Sequence, residues 1–208
     1  MSSLLILGAG GHGKVVADAA EFSEQWGNIA FLDDKFERDT KHAQWDIIGR
    51  MQDLALYAGE YDGIVIAIGD ASARMKWMSQ VHALGFSLAT IIHPRAVIST
   101  NVNLGEGSVV MANAVINYGV KIGAACIINT AATVDHECQL AAGVHICPGT
   151  HLAGNVSVGE CSWVGIGASV IQGITIGRHV MVGAGATVIN NINDDLTVIG
   201  TPAKPIEM

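Results

Sequence analysis

In the second half of the chain an aliphatic residue returns every six positions. Stepping from Ile98 through Leu104, Val110 and Ile116 as far as Val188, all sixteen positions are Ile, Leu or Val. Two places before each of these stand small or β-branched residues, among them Val102, Ser108, Ala114, Cys126 and Thr150. A period of six matches neither the 3.6 of an α-helix nor the 2 of a strand. Three hexads make an 18-residue, three-sided coil, and such coils stack into a parallel β-helix rather than an ordinary β-sandwich. Each inward side chain then lies above its equivalent eighteen places on, where its burial is worth roughly 1.5–3 kcal/mol gross. One place after the aliphatic residue, nine of the sixteen positions are Gly, Asn or Asp. These types best tolerate positive φ, which predicts the corners there.

Residues 1–92 follow other periods. LLILGAG reads as a buried strand entering a glycine loop, and HGKVVADAAEF has helical spacing. FLDDK ends a second strand, GIVIAIGD is a third, ASARMKWMSQVHALG is a second helix, and SLATIIHPRA leads to the coils. The pattern predicts a small Rossmann-like βαβ domain with a parallel sheet over 1–92, followed by the β-helix and its tail over 93–208.

Gly8, Gly10 and Gly13 form GxGxxG after the first strand, with Asp33 twenty residues past Gly13, which matches the dinucleotide fingerprint. About 90 residues supply barely more than one βαβαβ half, so a single nucleotide is the better fit. Backbone N–H groups at the helix start would hold phosphate, and an acidic residue after the next strand would reach ribose or base. The alternative is a tight strand-to-helix turn with no ligand. Candidate contacts are Gly10, Gly11 and His12 in the loop, Asp33, Asp34 and Lys35 after the second strand, and Gly69 after the third. Residues 36–53, polar and with little periodicity, read as a loop over the nucleotide.

Composition narrows the classes. Charged residues are 14% and glycines number 25, low and high against globular averages and in keeping with repeated tight turns. A net charge of −8 without clusters of Lys and Arg excludes a phosphate-backbone binder, so no nucleic-acid partner is expected. No apolar run reaches membrane-spanning length, and the start MSSLLILGAG lacks a basic n-region and a cleavage site, so the expectation is a cytoplasmic protein with no membrane partner. Cys126, Cys138, Cys147 and Cys161 are then expected as free thiols. Cys138, His145, Cys147 and His151 lie close together in sequence without a standard zinc spacing, and no metal is expected.

The stretch TVDHECQLAAGVH, residues 133–145, carries the candidate chemistry. It places His136 between Asp135 and Glu137, and His145 nine residues further on. Nine residues are half a coil, so within one chain the two histidines face opposite walls of the prism. Both serve one site only if it lies between adjacent subunits. One coil before His136 is Tyr118 and one coil after it is Gly154, whose missing side chain leaves room for an extended pantetheine arm.

The hexads of 98–188 resemble those of the hexapeptide-repeat acyltransferases, left-handed β-helices that are generally trimers, and the tail IGTPAKPIEM is similar to that family's ending. GAGGHG, FLDDK, AIGD, DHE and VHICPG together resemble the sialic acid O-acetyltransferase and nucleotide-amino-sugar N-acetyltransferase group, above all the UDP-4-amino-sugar acetyltransferases of bacillosamine-type synthesis. The resemblance implies acetyl-CoA as co-substrate, a UDP-linked amino sugar as acceptor and a homotrimer. It makes His136 the general base on the sugar 4-amino group, with Glu137 (or Asp135) orienting the imidazole. It further implies Ile166 and Ala184 as acetyl-CoA contacts and Asn129 as a substrate contact, beside Gly154 from the stacking and His145, which the coil geometry places at the subunit interface to hydrogen-bond the acetyl carbonyl or the thioester. Two other readings remain open at this point: O-acetylation of a sialic acid or related sugar, and a non-catalytic nucleotide-binding trimeric module.

Overall fold

The computed structural model describes residues 1–35 and 41–206. The chain divides into two compact units, Met1–Pro94 and Arg95–Met208.

In the first unit β1 (Ser2–Leu7) is central, with Leu4 to Leu7 fully buried. A strand covered on both faces needs such an unbroken apolar run. Next come α1 (Gly11–Phe22), burying Val16, Ala17, Ala19 and Ala20, and β2 (Trp26–Leu32). The expected loop over 36–53 is corrected in part. Residues 36–40 lie outside the described residues, but beyond them run β3 (Lys41–His42), β4 (Trp45–Gly49) and a 3-10 helix, Met51–Tyr57. In β4 Trp45, Ile47 and Gly49 are buried and alternate with Asp46 and Ile48, a period of two too short to stand out among polar neighbours. β5 (Gly63–Ile66) and α2 (Ala71–Ala83) complete the unit, with Asp70 Oδ1 accepting the Ala73 N–H at 2.7 Å as the helix cap. The sheet order is β3-β4-β2-β1-β5, parallel throughout except for β3.

The second unit is a parallel β-helix. Its first sheet runs from Val97–Ile98 through Thr133–Val134 and His151–Leu152 to Thr187–Val188. The second runs from Asn103–Leu104 through Gln139–Leu140 to Thr175–Ile176. The third includes Val109–Val110, His145–Ile146 and Met181–Val182, and ends in Thr197–Ile199 with Lys204–Pro205 antiparallel to it. Strands pair eighteen residues apart, as Val115 with Thr133 and Thr133 with His151. The interval drops to sixteen at the far end, where Met181 pairs with Thr197. The core holds the hexad aliphatics from Val110 to Val188 together with the residues two places before them, including Ala114, Cys126, Cys138 and Val144.

The corners are not where the glycine pattern predicts them. Positive φ recurs every six residues from Gly107 to Gly185, three places after the inward aliphatic residue rather than one, and half of these positions are not glycine, Asn113, Ala125, Glu137 and Asn155 among them. The glycines one place after the aliphatic residue answer a different need. A Cβ on Gly123 would lie 2.6 Å from the Ala142 nitrogen, and one on Gly165 2.8 Å from the Gly183 carbonyl carbon, so close coil-on-coil stacking, not dihedral freedom, selects them.

Candidate active site

His136 and Glu137 lie on the turn between the first two sheets, each side chain more than half exposed. Glu137 occupies the left-handed corner with φ 59°, a conformation that costs a non-glycine residue about 1 kcal/mol. Its N–H donates to the Tyr118 carbonyl at 3.0 Å in the preceding coil, and the His136 carbonyl accepts the Asn155 N–H at 2.8 Å from the following one. The turn is thus clamped from both neighbours.

Of the two carboxylates, Glu137 is the one beside the ring: its Oε2 lies 3.4 Å from His136 Nδ1. Asp135 Oδ1 instead accepts the backbone N–H of His136 at 2.8 Å and Asn117 Nδ2 at 2.8 Å. These two donors, the backbone one foremost, hold its carboxyl below the usual carboxylate range. With Nδ1 turned to Glu137, Nε2 is the ring nitrogen left to accept a proton from an attacking group.

Gly154 stacks on this corner, but the room it leaves is taken. A Cβ there would fall on Cε1 and Nε2 of His136 and 3.0 Å from its Cδ2. The imidazole lies across the glycine, which corrects the expectation of an empty channel for pantetheine at that point.

His145 sits on the third sheet, the wall facing that corner, and is 5% exposed. Its Nε2 is 3.1 Å from Asn129 Nδ2, and its ring centroid is 4.2 Å from that of Trp163. The Thr130 N–H donates to Asn129 Oδ1 at 2.8 Å, which turns the amide nitrogen toward His145. Nε2 is thereby the acceptor of this bond. Asn129 and His145, singled out separately in the sequence, form one hydrogen-bonded pair. Ile166 and Ala184 are exposed one coil apart at the corner between the third and first sheets, joined by the Gly185 N–H to the Ile166 carbonyl at 2.8 Å. The candidate residues of this unit thus form two groups on different edges, His136, Glu137 and Gly154 on one, and His145, Asn129, Ile166 and Ala184 toward the other.

The four cysteines are free. Cys138 Sγ donates to the Ala153 carbonyl at 3.2 Å inside the prism, and burial raises its pKa. Burial pushes Cys147 up to about 12. Neither is an activated nucleophile. Among the described residues no three His, Cys, Asp or Glu side chains form a metal-binding group, and no helix is long and apolar enough to cross a membrane.

In the first unit the glycines of the loop divide by role. Gly8 has φ +103°, and a Cβ on Gly13 would fall on the Gly8 carbonyl oxygen with the Phe31 ring at 3.2 Å, so both are required by the turn itself. Gly10, Gly11 and Gly69 would meet no protein atom within 4 Å. Nothing in the fold demands glycine there, whereas a ligand lying against the backbone would. Asp33 braces the loop: Oδ2 accepts the Ala9 N–H at 2.7 Å and Oδ1 the Lys35 N–H at 2.8 Å. Each oxygen keeps a second lone pair with which to accept a further hydrogen bond. Asp34 and Lys35 are exposed beside it.

Arg74, which sequence reasoning passed over, is 1% exposed, and its Nη1 donates to the carbonyls of Ile68 at 2.7 Å and Gly69 at 2.9 Å. A polar side chain on a helix reads as surface, and only burial reveals its hold on the loop after β5. His12 is half-buried, and burial foremost, then the Arg74 charge, pushes its pKa down to about 4. A depressed imidazole pKa lets the unfolded chain take up a proton that the fold refuses. The associated stability is whole above pH 6.5 and is lost as pH falls toward 4, by roughly 2–3 kcal/mol. Urea unfolding of wild type and His12→Asn between pH 7 and pH 4 is expected to show this extra loss in wild type alone, and parallel profiles would refute it.

The PglD N-terminal domain family matches residues 3–81. Over 124 residues the chain is 37% identical to UDP-N-acetylbacillosamine N-acetyltransferase from Bacillus subtilis (strain 168), a match covering 54% of this chain and 52%, about half, of that protein. The solved acetyltransferase domain of PglB from Neisseria gonorrhoeae FA1090, in complex with acetyl coenzyme A, is 44% identical with a TM-score of 0.95, over 99% of both chains. PerB from Caulobacter crescentus, in complex with CoA and GDP-perosamine, is 39% identical with a TM-score of 0.91, covering 100% of this chain and 98% of that one.

Proposed function

Because the chain belongs to the hexapeptide-repeat family of nucleotide-amino-sugar N-acetyltransferases, we propose that it transfers the acetyl group of acetyl-CoA to the 4-amino group of a UDP-linked 4-amino-4,6-dideoxy sugar. The observation that carries this reading is the His136–Glu137 dyad, exposed at a clamped corner of a fold whose relatives, matched over nearly the whole chain, were solved with acetyl coenzyme A in one case and with CoA and GDP-perosamine in another. His136 Nε2 takes a proton from the amine as its nitrogen attacks the thioester carbonyl. The carbon–nitrogen bond forms, the carbon–sulfur bond breaks, and the proton passes on to the departing CoA thiolate. Glu137 stabilises the imidazolium that develops between these steps. General base catalysis of this kind contributes about 10² to 10⁴ in rate.

The first unit holds the nucleotide, with Gly10, Gly11, His12 and Gly69 against its phosphates and ribose. Asp34 and Lys35 flank it. The two groups of β-helix residues complete one site between copies in a homotrimer: His136 and Gly154 come from one subunit, and Asn129, His145, Ile166 and Ala184 come from the next. His145, held by Asn129, then lines the pocket for the acetyl group. Acetyl-CoA and nucleotide sugars are cytoplasmic metabolites, and the enzyme acts there.

Thiol release from acetyl-CoA tests the reading against a panel of a UDP-4-amino sugar, GDP-perosamine, a sialic acid and no acceptor. Turnover is expected with the UDP-linked amine above all others. Preference for GDP-perosamine would change the base, sialic acid turnover would make the enzyme an O-acetyltransferase, and the absence of thiol release with every sugar would leave a binding module.

A further inference from the structure

We infer that Asn117 is a positioning residue for the transfer, acting on His136 through Asp135; the inference rests on the proposed acetyl transfer. Asn117 and Asp135 stack because their strands pair in register, Ile116 with Val134. One oxygen, Asp135 Oδ1, receives both the Asn117 amide and the His136 backbone N–H, each at 2.8 Å. An exposed carboxylate held by one neighbouring N–H alone turns easily to water. A second, side-chain donor from the coil below fixes its rotamer, and the ionised acceptor makes both bonds stronger than neutral ones.

The other restraints on this turn are backbone to backbone. Glu137 N–H binds the Tyr118 carbonyl, and Asn155 N–H binds the His136 carbonyl. The amide of His136 itself is held by Asp135. The peptide that carries the imidazole is therefore pinned on its N-terminal side by a two-residue clasp of side chains, and Asn117 is its outer half. Neither residue touches the imidazole, which faces Glu137. Loss of the clasp leaves binding of both substrates intact and lets the base drift from the line of proton transfer, where displacements of an ångström cost one to two orders of magnitude.

Steady-state kinetics of Asn117→Ala, Asp135→Ala, Asp135→Asn and the double alanine variant test this, together with amide hydrogen exchange at His136 followed by NMR. Asn117→Ala is expected to lower kcat about tenfold with KM for acetyl-CoA within about twofold. Asp135→Asn keeps an acceptor oxygen and is expected within about threefold of wild type, whereas Asp135→Ala falls as far as Asn117→Ala. The double variant is expected to be no worse than Asp135→Ala, since both act through one bond chain, and exchange at the His136 amide is expected to quicken in Asn117→Ala. An active wild type with unchanged kcat in Asn117→Ala, additive losses in the double variant, or unchanged exchange each overturns the clasp alone. A wild type inactive toward every acceptor overturns the acetyl-transfer reading, and the positioning role with it.

Discussion

Replacing His136 with alanine is expected to lower kcat by about 10²- to 10⁴-fold, the range general base catalysis supplies, with the dissociation constant of acetyl-CoA changed by less than about threefold. Nε2 is the ring nitrogen turned away from Glu137, and His145 of the same chain cannot replace it, being buried on the facing wall with Nε2 engaged by Asn129. Because the His136 side chain is more than half exposed, its removal is expected to move folding stability by no more than about 0.5 kcal/mol. Initial rates with the accepted nucleotide sugar, alongside calorimetric titration with CoA, decide the matter. A kcat within threefold of wild type would move the base elsewhere.

Gly154→Ala is expected to cost about 10²-fold in kcat while leaving every catalytic side chain in the sequence. The added methyl would occupy the position of the imidazole Cε1 and Nε2, and the ring must swing away to admit it. No backbone strain accompanies the change, because Gly154 is not among the positive-φ residues. Stability is therefore expected to hold or rise by up to about 1 kcal/mol as the unfolded chain loses freedom. A protein more stable and far less active is a signature that general damage does not produce. In a His136→Ala background the same methyl is expected to have no further effect, and an additive loss there would show that it acts by another route.

The two predictions bear on how far the sequence speaks for itself. The hexad period makes the prism legible because each inward aliphatic must repeat to bury its neighbour's surface, and all sixteen do. The corner assignment failed because glycine answers two demands. At Gly123 it permits close stacking, while at the left-handed positions Asn113, Ala125 and Glu137 do without it. In the first unit β4 stayed hidden, since three buried positions within WDIIG lie between polar flanks. Within the site, DHE announced itself, but the division of labour between Asp135 and Glu137 did not. It depends on Asn117, eighteen residues away in sequence and adjacent only once the strands pair. Arg74 escaped for the same reason: its partners, the carbonyls of Ile68 and Gly69, carry no mark in the sequence.

At the far end of the β-helix the direction of the backbone reverses. Thr197–Ile199 pairs on one side with Met181–Val182 in parallel, and on the other with Lys204–Pro205 in antiparallel fashion. A stack of identical rungs is an open template, able in principle to recruit the starting rung of another molecule and lengthen into a filament. On this sheet the last rung is already taken by a short return strand whose proline offers no N–H. Growth along the prism axis is thereby blocked at that edge.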